Sequence, residues 1–352
     1  PREGEFDYIF AHGLYSWIPA GVRDRLLAVC RERLAPQGVV FVSYNVYPGR
    51  YPRQMIREIL LYHTRALQDP AERIAEARRL LERLDHPEAK FLMEQDDDVL
   101  FHDDLAPINE PVWFHEFAAH AQRHGLQYLG EADSNKTFDP AMAQVEGEPV
   151  AVIEREQYVD FLKLRRFRQT LLCRGEIALD RAIGPARMDE FLFSENVRPE
   201  QVSGEEGAEA VKAVVQALHD TGRLPARFDE LIPYAGTTEL LREILFALLK
   251  AGCVNLHVHD FPCQETVTER PRASRLARYQ AASGDNVTSA CHIRVQLDAI
   301  ARQLVRLLDG SRTHDELACE LAGIEGAPSL EDVRRHLPSS LDWLARLALL
   351  EA

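Results

Sequence analysis

The 352-residue sequence lacks an excess of basic residues, and this absence narrows the classes of partner. Lys and Arg number 41 against 56 Asp and Glu, which gives a formal net charge of −15 at neutral pH. Nucleic acids and anionic membranes attract proteins through a positively charged surface. We therefore expect neither nucleic acid nor a membrane surface as a partner.

Long hydrophobic runs and paired cysteines are also missing. The longest apolar stretch, over 240–251, is interrupted by Arg242, Glu243 and Lys250 and is too short to span a bilayer. The first residues contain no apolar signal-peptide core. The six cysteines are far apart and form no C-x-x-C motif, so we expect reduced thiols. These features favour a cytoplasmic protein.

The residues that are present indicate an ordinary globular protein with more than one domain. Hydrophobic residues make up 46% and charged residues 28% of the chain, which excludes intrinsic disorder. At about 150 residues per domain, the length suggests two domains. The pattern changes near residue 176, so we predict one domain over 1–175 and a second over 176–352.

The first domain opens with the pattern of a βαβ unit, which indicates an α/β fold. The segment from Phe6 to Phe10 predicts a short buried strand, helical spacing over 22–33 predicts a helix, and the β-branched run over 39–44 predicts a strand buried on both faces. Two strands joined in this way are expected to pair in parallel through a right-handed crossover.

Weaker patterns predict the remaining elements. Those of the first domain are helices over 53–84, 114–124 and 157–164, strands over 126–130 and 167–173, and a solvated loop over 94–104. Beyond residue 176, short helices alternate with strands, and VVQALHDTGRLPARFDEL is similar to LVRLLDGSRTHDEL. This weak repeat predicts a mostly helical α+β domain with winged-helix-like modules.

Several stretches resemble class I S-adenosylmethionine-dependent methyltransferases. FDYIFAHGLYSWIP and LAPQGVVFVSYNVYPG are similar to strands four and five of that fold, and NEPVWFHEF and RRFRQTLLC resemble the methyltransferase regulatory domain. Some relatives are bacterial protein lysine methyltransferases. The resemblance implies a partial Rossmann-like methyltransferase sheet, S-adenosylmethionine as the family's cofactor and a protein as the substrate.

The glycine-rich cofactor loop of that family is absent from this sequence. No two of its 19 glycines are separated by a single residue, so G-x-G does not occur, and a backbone without glycine cannot approach a cofactor closely at a tight turn. We expect the C-terminal half of a catalytic domain plus a regulatory domain, with no cofactor-binding residue and no cofactor bound by this chain alone. A truncated enzyme and a natural non-catalytic, protein-binding module both stay open.

Substrate-pocket candidates follow the predicted strands, because ligands of open α/β sheets lie beyond the carboxyl ends of the strands. The candidates are His12, Tyr15, Trp17, Asn45, Tyr47, Asn109, Trp113 and His115. Aromatic faces can hold a cationic amine, and a histidine can accept its proton. Packing of the loops onto a helix is the alternative role. The sequence identifies no catalytic residue.

Two clusters suggest metal ligands, but neither has convincing spacing. The acidic stretch from Asp96 to Asp104 lacks the pattern and the glycine of an EF-hand loop. Cys253, His257, His259 and Cys263 would spread over roughly 33 Å of strand. We therefore predict no metal site.

Charge also argues against a DNA-binding role for the winged-helix-like modules. The helix predicted over 238–250 carries two basic and two acidic residues, and residues 298–352 carry six basic and ten acidic residues, a net charge of −4. A DNA-reading helix should neutralise phosphates. A basic cluster over 163–174 favours a salt-bridged face. A protein partner fits this composition better.

The resemblance also implies an exposed strand at one side of the sheet. In the family, strand four pairs with strand one, and this sequence contains no counterpart of strand one. The segment from Phe6 to Phe10 should then be an apolar edge that can pair with another chain. We therefore predict a homodimer formed through this edge.

Overall fold

The computed structural model describes residues 4–133, 151–196, 208–221, 224–261, 263, 266–324 and 328–351. The chain divides into two compact units, Pro1–Arg181 and Ala182–Ala352. Among the described residues, no helix has the length and apolar character needed to cross a membrane.

A four-stranded sheet forms the centre of the first unit. Its strands are β1 (Phe6–Ala11), β2 (Leu34–Asn45), β3 (Leu126–Glu131) and β4 (Phe167–Arg174). They lie in the order β1-β2-β4-β3. The parallel pairing of β1 with β2 is confirmed, and β4 runs antiparallel to both β2 and β3. The mixed α/β character predicted for this region is therefore present.

Seven helices accompany this sheet in the described part of the first unit. They are α1 (Ala20–Arg33), α2 (Tyr51–Thr64), α3 (Pro70–Leu81), α4 (Pro87–Met93), α5 (Asp97–Asp104), α6 (Phe114–Arg123) and α7 (Val152–Lys163). A core forms where Leu27 of α1 and Phe117 and Ala121 of α6 pack with Val40 and Val42 of β2. Complete burial of each large apolar side chain adds about 1.5–3 kcal/mol to folding.

The helical region predicted over 53–84 is present, but it consists of two helices because the helix is interrupted between α2 and α3. Asp69 lies at the break in an extended conformation, and its side chain accepts a hydrogen bond from the backbone N–H of Glu72 at 2.9 Å. Pro70 follows at the first helical position, where its missing N–H costs nothing. These two residues start a new helix within a stretch of uniformly helical composition.

The solvated loop predicted over 94–104 is also wrong, since residues 97–104 form α5. Asp96 precedes this helix with an extended backbone, and two aspartates occupy the first turn, where the helix dipole favours negative charge. Asp104 is fully buried and pairs with Arg53, whose Nη2 lies 2.8 Å from its Oδ2. Part of the acidic stretch therefore serves a buried ion pair.

β1 is an edge strand with three exposed aromatic side chains, so the expectation of a buried strand is wrong. Phe6, Tyr8 and Phe10 are 51%, 69% and 71% exposed, and β1 pairs with β2 alone in the described sheet. Gly38 of β2 fits this pairing tightly, because an added Cβ would lie 2.9 Å from the backbone oxygen of Phe6. The exposed apolar edge predicted for this segment is present.

Arg168 of β4 is fully buried and lies among three carboxylates. Its Nη1 lies 2.6 Å from Glu131 Oε1, and its Nη2 lies 3.0 Å from Glu156 Oε2 and 2.8 Å from Asp160 Oδ1. The guanidinium also stacks over the Phe114 ring, 3.8 Å from its centroid. Burial lowers the pKa of Arg168, but the carboxylates outweigh it and raise this pKa well above its ordinary value.

The described residues of the second unit are mostly helical and contain two small sheets. Its strands are β5 (Leu192–Glu195), β6 (Ala226–Arg227), β7 (Val254–His257), β8 (Asn286–Thr288) and β9 (Arg294–Gln296). They form a three-stranded sheet in the order β6-β5-β7 and a two-stranded sheet of β8 and β9.

Seven helices complete the described part of the second unit. They are α8 (Ala208–Asp220), α9 (Phe228–Ala235), α10 (Thr238–Lys250), α11 (Arg275–Ser283), α12 (Ala299–Leu307), α13 (His314–Ala322) and α14 (Leu330–Arg346). The C-terminal core consists of Ala, Val and Leu side chains, including Leu304, Leu317 and Leu341. The helix predicted over 238–250 is confirmed.

Candidate functional site

Polar side chains connect the loops that follow β1 and β2. The Asn45 backbone N–H donates to Ser16 Oγ at 2.9 Å, and Asn45 Nδ2 donates to Asn109 Oδ1 at 2.8 Å. Asn109 Nδ2 in turn donates to the backbone oxygen of Asp103 at 2.8 Å. Because these groups are buried and paired, they hold three loops in one arrangement at the carboxyl ends of the parallel strands.

Arg23 of α1 holds the loop after β1 through hydrogen bonds and an ion pair. Its Nε donates to the backbone oxygens of Tyr15 and Ile18 at 2.8 and 3.0 Å, and its Nη2 lies 3.0 Å from the Glu110 carboxylate. The guanidinium therefore joins the loop after β1 to the segment that precedes α6.

An aromatic cluster lies beside these loops, and we define it as Tyr47, Tyr51, Trp113 and Phe161. The Tyr47 ring stacks on Tyr51 with centroids 4.3 Å apart, and the Trp113 ring lies 5.5 Å from Tyr47 and 5.5 Å from Phe161. Tyr51 is 52% exposed. Burial raises the pKa of Tyr47, with help from nearby Tyr51, so its hydroxyl stays neutral at physiological pH.

Two backbone features fix the position of the aromatic cluster. The Tyr47 N–H donates to the backbone oxygen of Val112 at 3.1 Å, next to Trp113. An added Cβ at Gly49 would lie 1.8 Å from the backbone oxygen of Leu164, so only glycine allows this turn to pass the end of α7. His115 joins α6 to α7, because its backbone N–H donates to Gln157 Oε1 at 3.1 Å.

The structure brings five of the eight predicted pocket residues to this region. They are Asn45, Tyr47, Asn109, Trp113 and His115. Trp17 belongs to the same loop as Ser16, but its ring packs on His102 with centroids 4.5 Å apart.

His12 and Tyr15 face other parts of the first unit. His12 Nδ1 lies 3.1 Å from Ser43 Oγ, and its ring packs near Phe41. Tyr15 is buried, and its hydroxyl lies 2.8 Å from His120 Nδ1. Burial raises the pKa of Tyr15 to about 12. Tyr15 therefore lies in the core and does not line an open surface.

Sequence reasoning missed two members of the aromatic cluster and one group of potential metal ligands. Tyr51 and Phe161 come from helices, so no strand-end rule indicates them. Among the described residues, His, Cys, Asp or Glu ligand atoms gather in a group of three at Asp24, His120 and His124. The spacing H-x-x-x-H was the available signal for the two histidines.

The clusters weighed as metal ligands do not gather in this way in the described part of the chain. Asp104 forms an ion pair with Arg53, and His257 Nε2 lies 2.8 Å from Ser194 Oγ. Of the basic cluster over 163–174, Arg168 and Arg166 form ion pairs with acidic residues, in agreement with a salt-bridged face.

Two family models match parts of the chain. Residues 96–174 match the family described as a predicted methyltransferase regulatory domain, and residues 269–326 match the C-terminal winged helix domain of PKMT. The regulatory-domain resemblance and the winged-helix prediction are confirmed over these residues.

Solved structures give the broader likeness. PKMT2 from Rickettsia typhi superposes with a TM-score of 0.81 at 26% identity, covering 99% of this chain and 81% of that chain. This chain is similar to PKMT2 and has the same fold. A second structure, of PKMT2 in complex with AdoHcy, matches with a TM-score of 0.78 at 23% identity over the same shares of both chains; at that identity it shows the fold.

This chain matches only part of the length of each of two curated relatives. An uncharacterized protein of Rickettsia prowazekii is 28% identical over 360 residues, covering 87% of this chain and 65% of that protein. Another protein of the same organism is 32% identical over 140 residues, 36% of this chain and 56% of that protein. The chain spans less than two thirds of the length of these relatives.

Proposed function

We propose that this chain is the C-terminal part and regulatory domain of an S-adenosylmethionine-dependent methyltransferase that acts on lysine side chains of a protein. The carrying observation is the aromatic cluster, which lies beside the loops that buried hydrogen bonds hold at the carboxyl ends of β1 and β2. The likeness to PKMT2 supports the reaction class, and the AdoHcy in the PKMT2 complex supports the methyl donor.

The aromatic cluster has the chemistry to hold a lysine side chain. Ring faces attract an ammonium group by about 0.5–2 kcal/mol, and the apolar ring bodies cover its methylene stem. Methyl transfer also requires an aligned amine that has lost its proton. Tyr47 stays neutral, so it accepts a hydrogen bond from the amine without adding a charge.

The residues of this chain do not fit the cofactor's side of such a site. The sequence contains no G-x-G, and the N–H of Gly13, in the turn after β1, already donates to Ser43 Oγ at 2.7 Å. The exposed edge of β1 is suited to pair with a further strand. In this proposal, residues outside this chain supply the cofactor loop, and this chain alone binds no S-adenosylmethionine.

Extension of the chain by its natural upstream coding sequence tests the proposal. We expect that sequence to encode a glycine-rich strand and loop. The extended protein should then transfer tritium-labelled methyl groups to a polypeptide acceptor, and mass spectrometry should locate the added methyl groups on lysines. Tyr51→Ala should lower kcat/KM about 2- to 30-fold, the rate equivalent of a lost cation–π contact.

A matched variant on the same helix controls for packing effects. Tyr62 of α2 is 69% exposed and lies outside the aromatic cluster, so Tyr62→Ala should leave kcat/KM unchanged. The proposal is wrong if the upstream sequence lacks the glycine-rich loop or if the extended protein methylates no lysine. Either result favours the non-catalytic, protein-binding module.

A further inference from the structure

Asp24, His120 and His124 bring three metal-ligating atoms together on the surface of the first unit. His120 lies in the last turn of α6, and His124 follows Arg123 as the C-terminal cap of this helix; their ring centroids are 5.3 Å apart. Asp24 on α1 faces both rings: its Oδ1 lies 2.9 Å from His124 Nε2 and 3.3 Å from His120 Nε2.

The two distances from Asp24 are close to the edge length of a tetrahedral zinc site. Zinc binds imidazole nitrogen at about 2.0–2.1 Å and carboxylate oxygen at about 2.0–2.2 Å, which places tetrahedral ligand atoms about 3.3 Å apart. The three atoms all lie within 4.8 Å of one another, so small side-chain rotations suffice to enclose an ion. The two histidines have the same spacing as the zinc-binding histidines of the H-E-x-x-H motif.

The surroundings supply the second layer of contacts that zinc sites use. The other ring nitrogen of His120, Nδ1, lies 2.8 Å from the Tyr15 hydroxyl. Ligating histidines characteristically donate this second N–H to an oxygen, which fixes the ring orientation. A tyrosine hydroxyl both donates and accepts, so Tyr15 serves His120 with or without a bound ion.

The two histidines of this cluster are more deeply buried than the aspartate. The side chains of His120 and His124 are 12% and 17% exposed, whereas that of Asp24 is 64% exposed. An ion held here would have three protein ligands and one position open to water, as catalytic zinc sites do. Tyr15, which contacts His120, is followed in the chain by Ser16, and the Ser16 Oγ accepts the Asn45 N–H in the candidate functional site.

We propose that Asp24, His120 and His124 form a zinc-binding site that joins α1 to α6. Calorimetric titration of zinc chloride into the chelator-treated chain should show saturable binding of one ion per chain. His124→Gln and Asp24→Asn should abolish this binding. Asp24→Asn changes an exposed side chain, so its loss of binding does not arise from unfolding.

Matched variants separate this site from adventitious zinc binding. His63 faces the single carboxylate of Glu76, with His63 Nε2 3.8 Å from Glu76 Oε2, so His63→Gln should retain full affinity. Tyr15→Phe keeps the ring but removes the contact to His120, and should weaken binding about 10-fold.

Cobalt identifies the ligand atoms, because the chain also has cysteine thiols outside disulfide bonds. The Co²⁺ complex should show the visible absorption of a four-coordinate ion without a thiolate charge-transfer band. The proposal is overturned by the absence of saturable zinc binding, by binding that survives His124→Gln or Asp24→Asn, or by a thiolate band.

Discussion

The two units of this protein bury different kinds of side chain. In the described part of the first unit, eleven Arg, Glu or Asp side chains are buried, among them Arg53, Arg168 and Asp160, whereas in that of the second unit the buried polar side chains are Ser194 and Ser289. Buried charges are stable only when partners surround them. The first unit therefore fixes one specific arrangement around the candidate site, and the second is stabilised by aliphatic packing.

Replacement of Arg168 should give the largest effect and tests the role of buried charge directly. Arg168→Ala removes the cation shared by Glu131, Glu156 and Asp160, of which only the last two also lie near Arg165. This loss should cost about 3–5 kcal/mol in the free energy of unfolding. Arg25 of the same unit forms a pair with Glu32 in which both side chains are exposed, so Arg25→Ala should cost below about 1 kcal/mol.

Tryptophan fluorescence during urea unfolding measures this difference. With Trp343→Phe as the background, Trp17 and Trp113 report on the first unit. Equal losses for Arg168→Ala and Arg25→Ala would contradict the comparison, because burial of the charge would then have no special role.

Removal of an aliphatic side chain should give the corresponding effect in the second unit. Leu341 of α14 is fully buried in the aliphatic core, so Leu341→Ala should cost about 2–4 kcal/mol through the cavity that it leaves. Leu330→Ala, at a 37% exposed position of the same helix, should cost far less. Hydrogen exchange should show the loss confined to the second unit; faster exchange of β2 and β4 would contradict the separation into two units.

A smaller effect of pH should come from His257 of the second unit. Burial lowers its pKa below the ordinary value, so the unfolded chain takes up a proton before the folded chain as the pH falls. The contribution of His257 to the free energy of unfolding is complete above its unfolded-state pKa of about 6.5. It is lost as the pH falls from that value toward the folded-state pKa. As the pH falls from about 7.5 to about 5, the amide protection factors of β5 and β7, which are corrected for the intrinsic pH dependence of exchange, should decrease, and His257→Gln should remove this dependence. An unchanged pH response in the variant would contradict the assignment.

The edge of β1 should affect association and leave stability almost unchanged. Tyr8 and Phe10 are largely exposed, so Tyr8→Thr with Phe10→Thr should change the free energy of unfolding by less than about 0.5 kcal/mol. The unaltered chain should form a dimer through this edge and the double variant a monomer, measured by light scattering. Tyr279→Thr, at a 72% exposed position of the second unit, serves as the control. A monomeric unaltered chain would refute the predicted pairing.

Elements with strong local signals could be predicted from the sequence. The helix over 238–250 begins after Thr237, whose hydroxyl accepts the Leu240 N–H, and its apolar spacing is regular. β1 and β2 were indicated by β-branched and aromatic runs. The break at Asp69 and Pro70 was missed because helical composition continues on both sides.

Contacts between distant residues limited the prediction of the candidate site. Tyr47 and Trp113 followed from strand ends and turn residues, but Tyr51 and Phe161 reach the aromatic cluster from helices. Likewise, Asp24 lies 96 residues before His120 in the chain, and no local pattern joins them.

The central claim is that the first unit supplies the substrate side of a methyl-transfer site and that the cofactor side lies outside the given chain. Calorimetric titration of S-adenosylmethionine into this chain tests it most directly. The account predicts no saturable heat for the chain and saturable binding for the protein extended upstream of Pro1. Saturable micromolar binding by the chain itself would contradict it.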